Sequence, residues 1–386
     1  MTPRQGTFAA FITFGIFGGL WAGSIPTVVA RAGVSPAGFG IATTFAAVTT
    51  ILGLAAAGYV ARHLALRTML IGALATCIGL AAVILNAPGP ITFYALILAF
   101  SFAAGFCDAS MNAEATLVER DLGRPAMAAF HAAISLVIGV LALAGSALSE
   151  YFGTFVTAAV AMIGGAAGIA LVRRGTPLRP IDRGTRSDPE QTKHRRGPGI
   201  TLPLVLLGLV VGVSNAGEGS AQMFSAATIR DIAPELAPWA GLGVFAFALC
   251  QAFARALTDR ARRHVSDPMV ILWAVAIAGA GFLVIALSNG IFGVAVGLAI
   301  VGVGTAPIVP CGFVLAPKVS GLPAARAIGY MSLVSSLTRI PVPWAFGQVA
   351  EMHGYPPAYL LNAVLMAVAF ALTLAMVLGR RTTEPR

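Results

Sequence analysis

Charge is the first thing this 386-residue sequence has little of: Asp, Glu, Lys and Arg make up only 10% of it, where an ordinary soluble domain carries about 25%. A chain so poor in charge cannot cover a water-facing exterior. Cysteine is also scarce. Cys77, Cys107, Cys250 and Cys311 each lie inside an apolar run. None has the spacing of a metal site, so they read as small buried hydrophobes, with no disulfide framework and no metal centre. Absent too are a nucleophile–base pair, a phosphate loop and a cofactor fingerprint, so neither an enzyme nor a bound cofactor is expected. The formal net charge is +10, but the basic residues sit in short loops without interleaved aromatics, which excludes nucleic acid as a partner.

What is present is apolar sequence. Hydrophobic residues make up 58% of the chain, and they come in runs of about 20, the length that crosses a bilayer at 1.5 Å per residue. Twelve spans are expected, near 7–29, 38–61, 68–86, 91–118, 127–148, 152–172, 201–224, 240–258, 269–287, 291–314, 326–348 and 358–379. The first reads as an uncleaved helix rather than a secretory signal. The expected fold is an all-α polytopic membrane protein with a six-helix half over 1–172, a basic flexible linker over 173–200 and a second six-helix half over 201–386. With Met1 in the cytoplasm, 22 of the 25 Lys and Arg fall inside, all but Arg31, Arg230 and Arg339. The positive-inside rule therefore places both termini and the linker in the cytoplasm. Nothing in the sequence demands a dimer, so the lipid bilayer is the expected environment and a monomer the expected state.

The polar groups inside these spans carry the functional reading. Residues 105–135 hold Asp108, Asn112, Glu114, Glu119 and His131 within otherwise apolar sequence. Steps of four and seven bring Asp108, Asn112 and Glu119 onto one helix face. An Asp near the centre of a span costs roughly 2.5–3.5 kcal/mol on insertion scales, so such acids mark ion or substrate pathways more often than packing. Asp108 is the expected proton site, against a structural tie to Asn112 or a basic partner. His131 is either a proton relay or an interfacial histidine. In the seventh span Asn215, Glu218 and Gln222 share a face that substrate could use, with Gly212, Gly217 and Gly219 allowing it to bend. Arg339 needs a counter-charge or an anionic ligand: Glu218, Asp108 or a substrate carboxylate or phosphate. Gln251 is a candidate cavity hydrogen-bonder, and Trp21 either stacks on a ligand or packs. Gly302, Gly304, Pro307 and Pro310 interrupt the tenth span, which reads as a flexible gating helix.

Two six-span halves around a basic linker resemble the major facilitator superfamily, in which two related halves rock about a central site near the midplane. The loop signature of that superfamily, G-x-x-x-D-R-x-G-R-R, is degraded after the second span. Gly58 and Arg67 fit it, while Arg62 replaces the Asp and Ala65 the Gly; the second half keeps Asp259, Arg260 and Arg263. By this resemblance Arg62, Arg67, Asp259, Arg260 and Arg263 are gating residues, joined at the same end by Glu119 and Arg120. The Asp108–Asn112 pair on the fourth span resembles the fucose–proton symporter branch, which implies protonation of Asp108 and a substrate role for Asn112. The longer string from Asp108 through Glu114, Glu119-Arg120 and Gly123 to His131 is similar to a bacterial inner-membrane subgroup of the YbjJ type. The fifth span lacks the Gly-Pro pair of many drug–proton antiporters. The resemblance thus implies a proton-coupled symporter of a small polar, sugar-like solute in a bacterial inner membrane. A proton-driven exporter of drugs or amphiphilic metabolites is the alternative, and a receptor or scaffold with a transporter fold the rival of a different class.

Overall fold

The structure, a computed structural model, describes residues 1–123, 126–177 and 200–381. Most of the linker expected over 173–200 therefore lies outside the described residues, as do Arg124 and Pro125. All regular structure among the described residues is helical, as a hydrocarbon medium requires when it offers backbone N–H and C=O groups no partner. The first six helices are α1 (Pro3–Arg31), α2 (Pro36–Val60), α3 (Leu66–Ile84), α4 (Pro90–Leu122), α5 (Met127–Tyr151) and α6 (Thr154–Gly175). There follow α7 (Leu202–Ile232), a 3-10 turn (Pro234–Trp239), α8 (Leu242–Ala261), α9 (Asp267–Ala286), α10 (Ile291–Thr305) and α11 (Ile308–Ser320). The last three are α12 (Ala324–Arg339), α13 (Pro341–His353) and α14 (Tyr355–Arg381).

Local chemistry sets the ends. Thr2 and Gln5 form a reciprocal capping box ahead of α1, with Pro3 at its first position, where a missing N–H costs nothing. Gly123 closes α4 at φ 62°, a left-handed cap that a side chain would strain. Eleven helical segments are long and apolar enough to cross a membrane, α10 and α11 counting together as Ile291–Ser320. The twelfth span is the α12–α13 pair. It is divided at Ile340 because Pro341 has no N–H to give the Leu337 carbonyl. Pro307 interrupts the tenth span in the same way, between α10 and α11.

The chain forms two compact units, one of Met1–His194 with Glu235–Phe245 and one of Arg195–Pro234 with Ala246–Arg386. In the first unit α1 packs on α5 and α6, and α4 on α2 and α3. Phe11, Phe17, Leu74, Cys77, Cys107, Met111 and Phe130 fill its core. A Cβ at Gly105 would stand 2.1 Å from the Thr50 carbonyl oxygen, and one at Gly53 2.0 Å from that of Phe102. These glycines let the α2 and α4 backbones touch, and the contact fixes α4 one turn before Asp108. The 235–245 segment joins this unit through Ser146, whose Oγ donates to the Pro238 carbonyl at 2.9 Å and accepts from the Gly241 N–H at 3.0 Å. In the second unit α7 packs on α12 and α14, and α9 on α10 and α14.

The glycines of the tenth span serve contact rather than bending. A Cβ at Gly302 would stand 2.4 Å from the Phe247 carbonyl oxygen, and one at Gly304 2.3 Å from the Ala278 nitrogen. They seat α10 against α8 and α9.

Candidate functional site

The first unit joins Asp108, Asn112 and His131 through hydrogen bonds. Asn112 Nδ2 donates to Asp108 Oδ1 at 2.9 Å and to the Asp108 main-chain oxygen at 2.9 Å. Its Oδ1 lies 3.1 Å from His131 Nε2. Since the carboxylate accepts, the Asn112 amide must present Nδ2 to it and Oδ1 to the ring, so Nε2 is the nitrogen that carries the hydrogen. The ring of Phe11 meets His131 edge-on at 5.3 Å and fixes its plane. Asn112 is thus a non-titrating spacer between two titrating groups, one on α4 and one on α5. All three residues are half-buried. Such an arrangement can hold a proton on either end and make the orientation of one group depend on the other.

The second unit holds a separate polar cluster. Glu218 on α7 faces Arg255 on α8, Oε2 to NH2, at 3.4 Å, with side chains 14% and 33% exposed. One turn before Arg255, the buried Gln251 donates to Thr305 Oγ1 at 3.3 Å, at the last residue of α10 before its break. Gln251 and Thr305 both approach the Glu218 carboxyl, yet Glu218 Oε1 is buried with no hydrogen-bond partner among the described residues. One turn earlier on α7, Asn215 donates to Ser335 Oγ on α12 at 3.0 Å. Gly208 and Gly212 make that crossing possible, because a Cβ at either would meet Val334 or Thr338 side-chain carbons at 2.7 Å. Gln222 lies half-buried further along the α7 face. Arg339, with Nε buried, ends α12 one turn after Ser335.

Glu218 pairs with Arg255, a cation that sequence reasoning passed over. Arg255 stands near the end of an apolar run that closes on a basic loop, so it reads as one more loop cation. Its only signal was the four-residue step from Gln251. Asn362 is buried on α14 and neither side-chain atom has a hydrogen-bond partner among the described residues.

The residues expected at gates make mostly local contacts. Glu119 Oε2 accepts from the main-chain N–H groups of Ala126 and Met127, at 2.7 and 2.8 Å. It caps the start of α5, where exposed N–H groups and the helix dipole favour an anion. Arg67 donates to the Arg173 carbonyl and so closes the C-terminal end of α6. Arg62, Arg120, Arg260 and Arg263 are exposed, and the side chain of Asp259 lies outside what is described. The ion pairs at that end of the second unit are instead Arg262 with Asp267 at 2.7 Å and Lys318 with Asp267 at 3.4 Å. Trp21 is 4% exposed and packs on Phe93 and Phe100, ring centroids 6.3 Å away in both cases, the surroundings of a core aromatic. No group of three or more His, Cys, Asp or Glu is placed to hold a metal among the described residues.

A sequence model of the Major Facilitator Superfamily matches residues 6–264. The chain belongs to that superfamily. It is therefore a multi-pass membrane transporter and not an enzyme. An uncharacterized transporter of Sinorhizobium fredii is 29% identical over 360 residues, covering 91% of this chain and 92% of the relative. An uncharacterized MFS-type transporter of Yersinia pestis is 25% identical over 383 residues, with 96% and 95% covered. The membrane protein MosC of Rhizobium meliloti is 25% identical over 375 residues, with 96% and 89% covered. Among solved structures, a variant of the nucleoside transporter NupG superposes with a TM-score of 0.77 at 14% identity, covering 97% of this chain and 99% of that one. That likeness is one of fold.

Proposed function

We propose that this superfamily member is a proton-coupled symporter of a small polar, sugar-like solute, resident in a bacterial inner membrane as a monomer with both termini in the cytoplasm. The observation that carries the proposal is the Asp108–Asn112–His131 chain. A carboxyl within a span is costly unless it has a job, and this one is tied through an amide to an imidazole, a side chain able to carry a proton. Asp108 takes up the proton, Asn112 reports its state to His131 on the neighbouring helix, and proton and solute cross together. The bacterial relatives support the inner membrane, and the excess of Lys and Arg on one side of the layout supports the orientation. The likeness of the Asp108–Asn112 pair to the fucose–proton symporter branch supports import of a hydroxyl-rich solute, and the missing Gly-Pro pair of the fifth span weighs against drug export.

The test uses purified protein in liposomes containing a pH-sensitive dye, with sugars, small organic acids and cationic dyes added outside. A sugar-class compound should drive proton entry with the wild type, and Asp108→Asn should lower that entry at least tenfold while sparing exchange of labelled solute. Coupled proton entry that survives Asp108→Asn removes Asp108 from the coupling step. Proton exit driven by a dye would make the protein an exporter.

A further inference from the structure

The outward face of the second unit carries a groove of about 370 Å³ between α8 and α9, within the size range of small-molecule sites. Phe253 and Leu257 of α8 and Trp273 of α9 form its walls, and Ala254, Val303 and Pro307 its floor. The walls are far from sealed: Phe253 is 67% exposed and Trp273 62%. The lining is almost wholly apolar, which excludes a hydrophilic solute and suits hydrocarbon.

One end differs from the rest. Ala261 and Val265 line the groove where it runs out into the α8–α9 loop, and the last turn of α8 with that loop carries Arg260, Arg262, Arg263 and His264. Arg262 is held by Asp267, but Arg260, Arg263 and His264 are exposed. Asp267 pairs with both Arg262 and Lys318, and in sequence one further acid, Asp259, precedes Arg260. The mouth is therefore basic on balance beside an apolar trough, the two halves of a charged amphiphile. The floor adds a third feature. Pro307 has no N–H for the carbonyl of Val303, and both residues line the groove, so the break of the tenth span lies on its floor.

We propose that this groove binds one anionic phospholipid, with an acyl chain in the α8–α9 trough and the phosphate against Arg260 and Arg263, assisted by His264. Charge complementarity selects the headgroup, and the open apolar trough takes the chain. A bound lipid covers the break between α10 and α11 and holds α8, which also carries Gln251 and Arg255. This site is independent of the proton-coupling reading.

The experiment is native mass spectrometry of the purified full-length protein in detergent, titrated with palmitoyl-oleoyl phosphatidylglycerol or with phosphatidylcholine of the same chains. One phosphatidylglycerol should be retained in preference to phosphatidylcholine. A cation near an anionic lipid surface is worth roughly fivefold in binding, so Arg260→Gln with Arg263→Gln should reduce that preference by about 25-fold. Ala254→Phe, which fills the trough, should lower retention of both lipids. The double arginine variant changes only exposed side chains and tests the headgroup even if Ala254→Phe misfolds. Equal retention of the two lipids by the wild type would overturn the proposal. So would a preference that survives the arginine changes, or a folded Ala254→Phe protein that still retains phosphatidylglycerol as the wild type does.

Discussion

The Glu218–Arg255 pair gives the sharpest energetic test of the second unit, because its two members are unequally exposed. Removing one partner of a buried ion pair costs about 3–5 kcal/mol, since the other charge is left without compensation. The Glu218 side chain is 14% exposed and that of Arg255 33%. Arg255→Met strands the deeper charge, a carboxylate whose Oε1 already lacks a hydrogen-bond partner among the described residues. Glu218→Gln strands a guanidinium that is a third exposed and can turn toward water. Discounting for that exposure, Arg255→Met should cost about 2–3 kcal/mol and Glu218→Gln about 1 kcal/mol.

The double variant, Arg255→Met with Glu218→Gln, should recover most of the loss, because a neutral pair of similar volume has no stranded charge. Melting midpoints of the purified protein in one detergent, followed by tryptophan fluorescence, should fall on the order of 5 °C for Arg255→Met, since about 2 °C corresponds to 1 kcal/mol in a large domain. The order of the three proteins matters more than any one midpoint. If Glu218→Gln is the more damaging single change, or if the double variant is as unstable as the two losses added, the pair is not the coupled, asymmetrically buried unit described above.

Two further predictions rest on single contacts. Glu119→Gln keeps an acceptor for the Ala126 and Met127 N–H groups but removes the charge at the α5 terminus; it should cost about 0.5 kcal/mol against about 1 kcal/mol for Glu119→Ala, measured by the same melting assay, and equal losses would show that the hydrogen bonds are not what Glu119 supplies. A Cβ on residue 241 would stand 2.1 Å from the Ala142 carbonyl oxygen, so Gly241→Val should expose residues 235–245 to hydrogen exchange more than Ser146→Ala does, and protection unchanged from wild type would refute the close packing of residues 235–245 on α5.

The layout was legible because bilayer thickness dictates it. A run of 20 apolar residues has few other uses, and the spans come out where hydropathy puts them, even where Pro307 and Pro341 divide them. Helical periodicity made the Asp108–Asn112 face legible too, since both residues lie on one helix and only a step of four had to be read. His131 could be named as a candidate, but its hydrogen bond to Asn112 depends on how α5 returns against α4, which no spacing encodes. Glu119 illustrates the opposite error. The resemblance grouped it with Arg120 among the gating residues, whereas the chain turns so that its own next helix presents two main-chain N–H groups to it. Gly302 and Gly304 misled in another way, because a glycine that permits bending and one that permits contact look the same in sequence. Arg255 was hidden by the positive-inside rule itself, which assigns a cation near the end of a span to the loop.

That last case bears on how α8 works. Its cations divide by position: Arg255 follows Gln251 by four residues and faces Glu218 on α7, while Arg260 in the last turn and Arg263 just beyond it are exposed. Between them, Phe253 and Leu257 point outward into the groove. A single rigid helix therefore carries an ion pair on one side and a lipid-shaped trough on the other. Because Gly302 locks the α10 backbone against α8 at Phe247, α8 cannot rotate alone. Any change that shifts α8 must disturb either the close contact at Gly302 or the Gln251–Thr305 bond beside the α10–α11 break. The break is the softer of the two, since two prolines have already removed main-chain hydrogen bonds there. Motion of α8 should therefore be taken up at Thr305–Pro307, where Thr305 meets the polar cluster and Pro307 lines the groove.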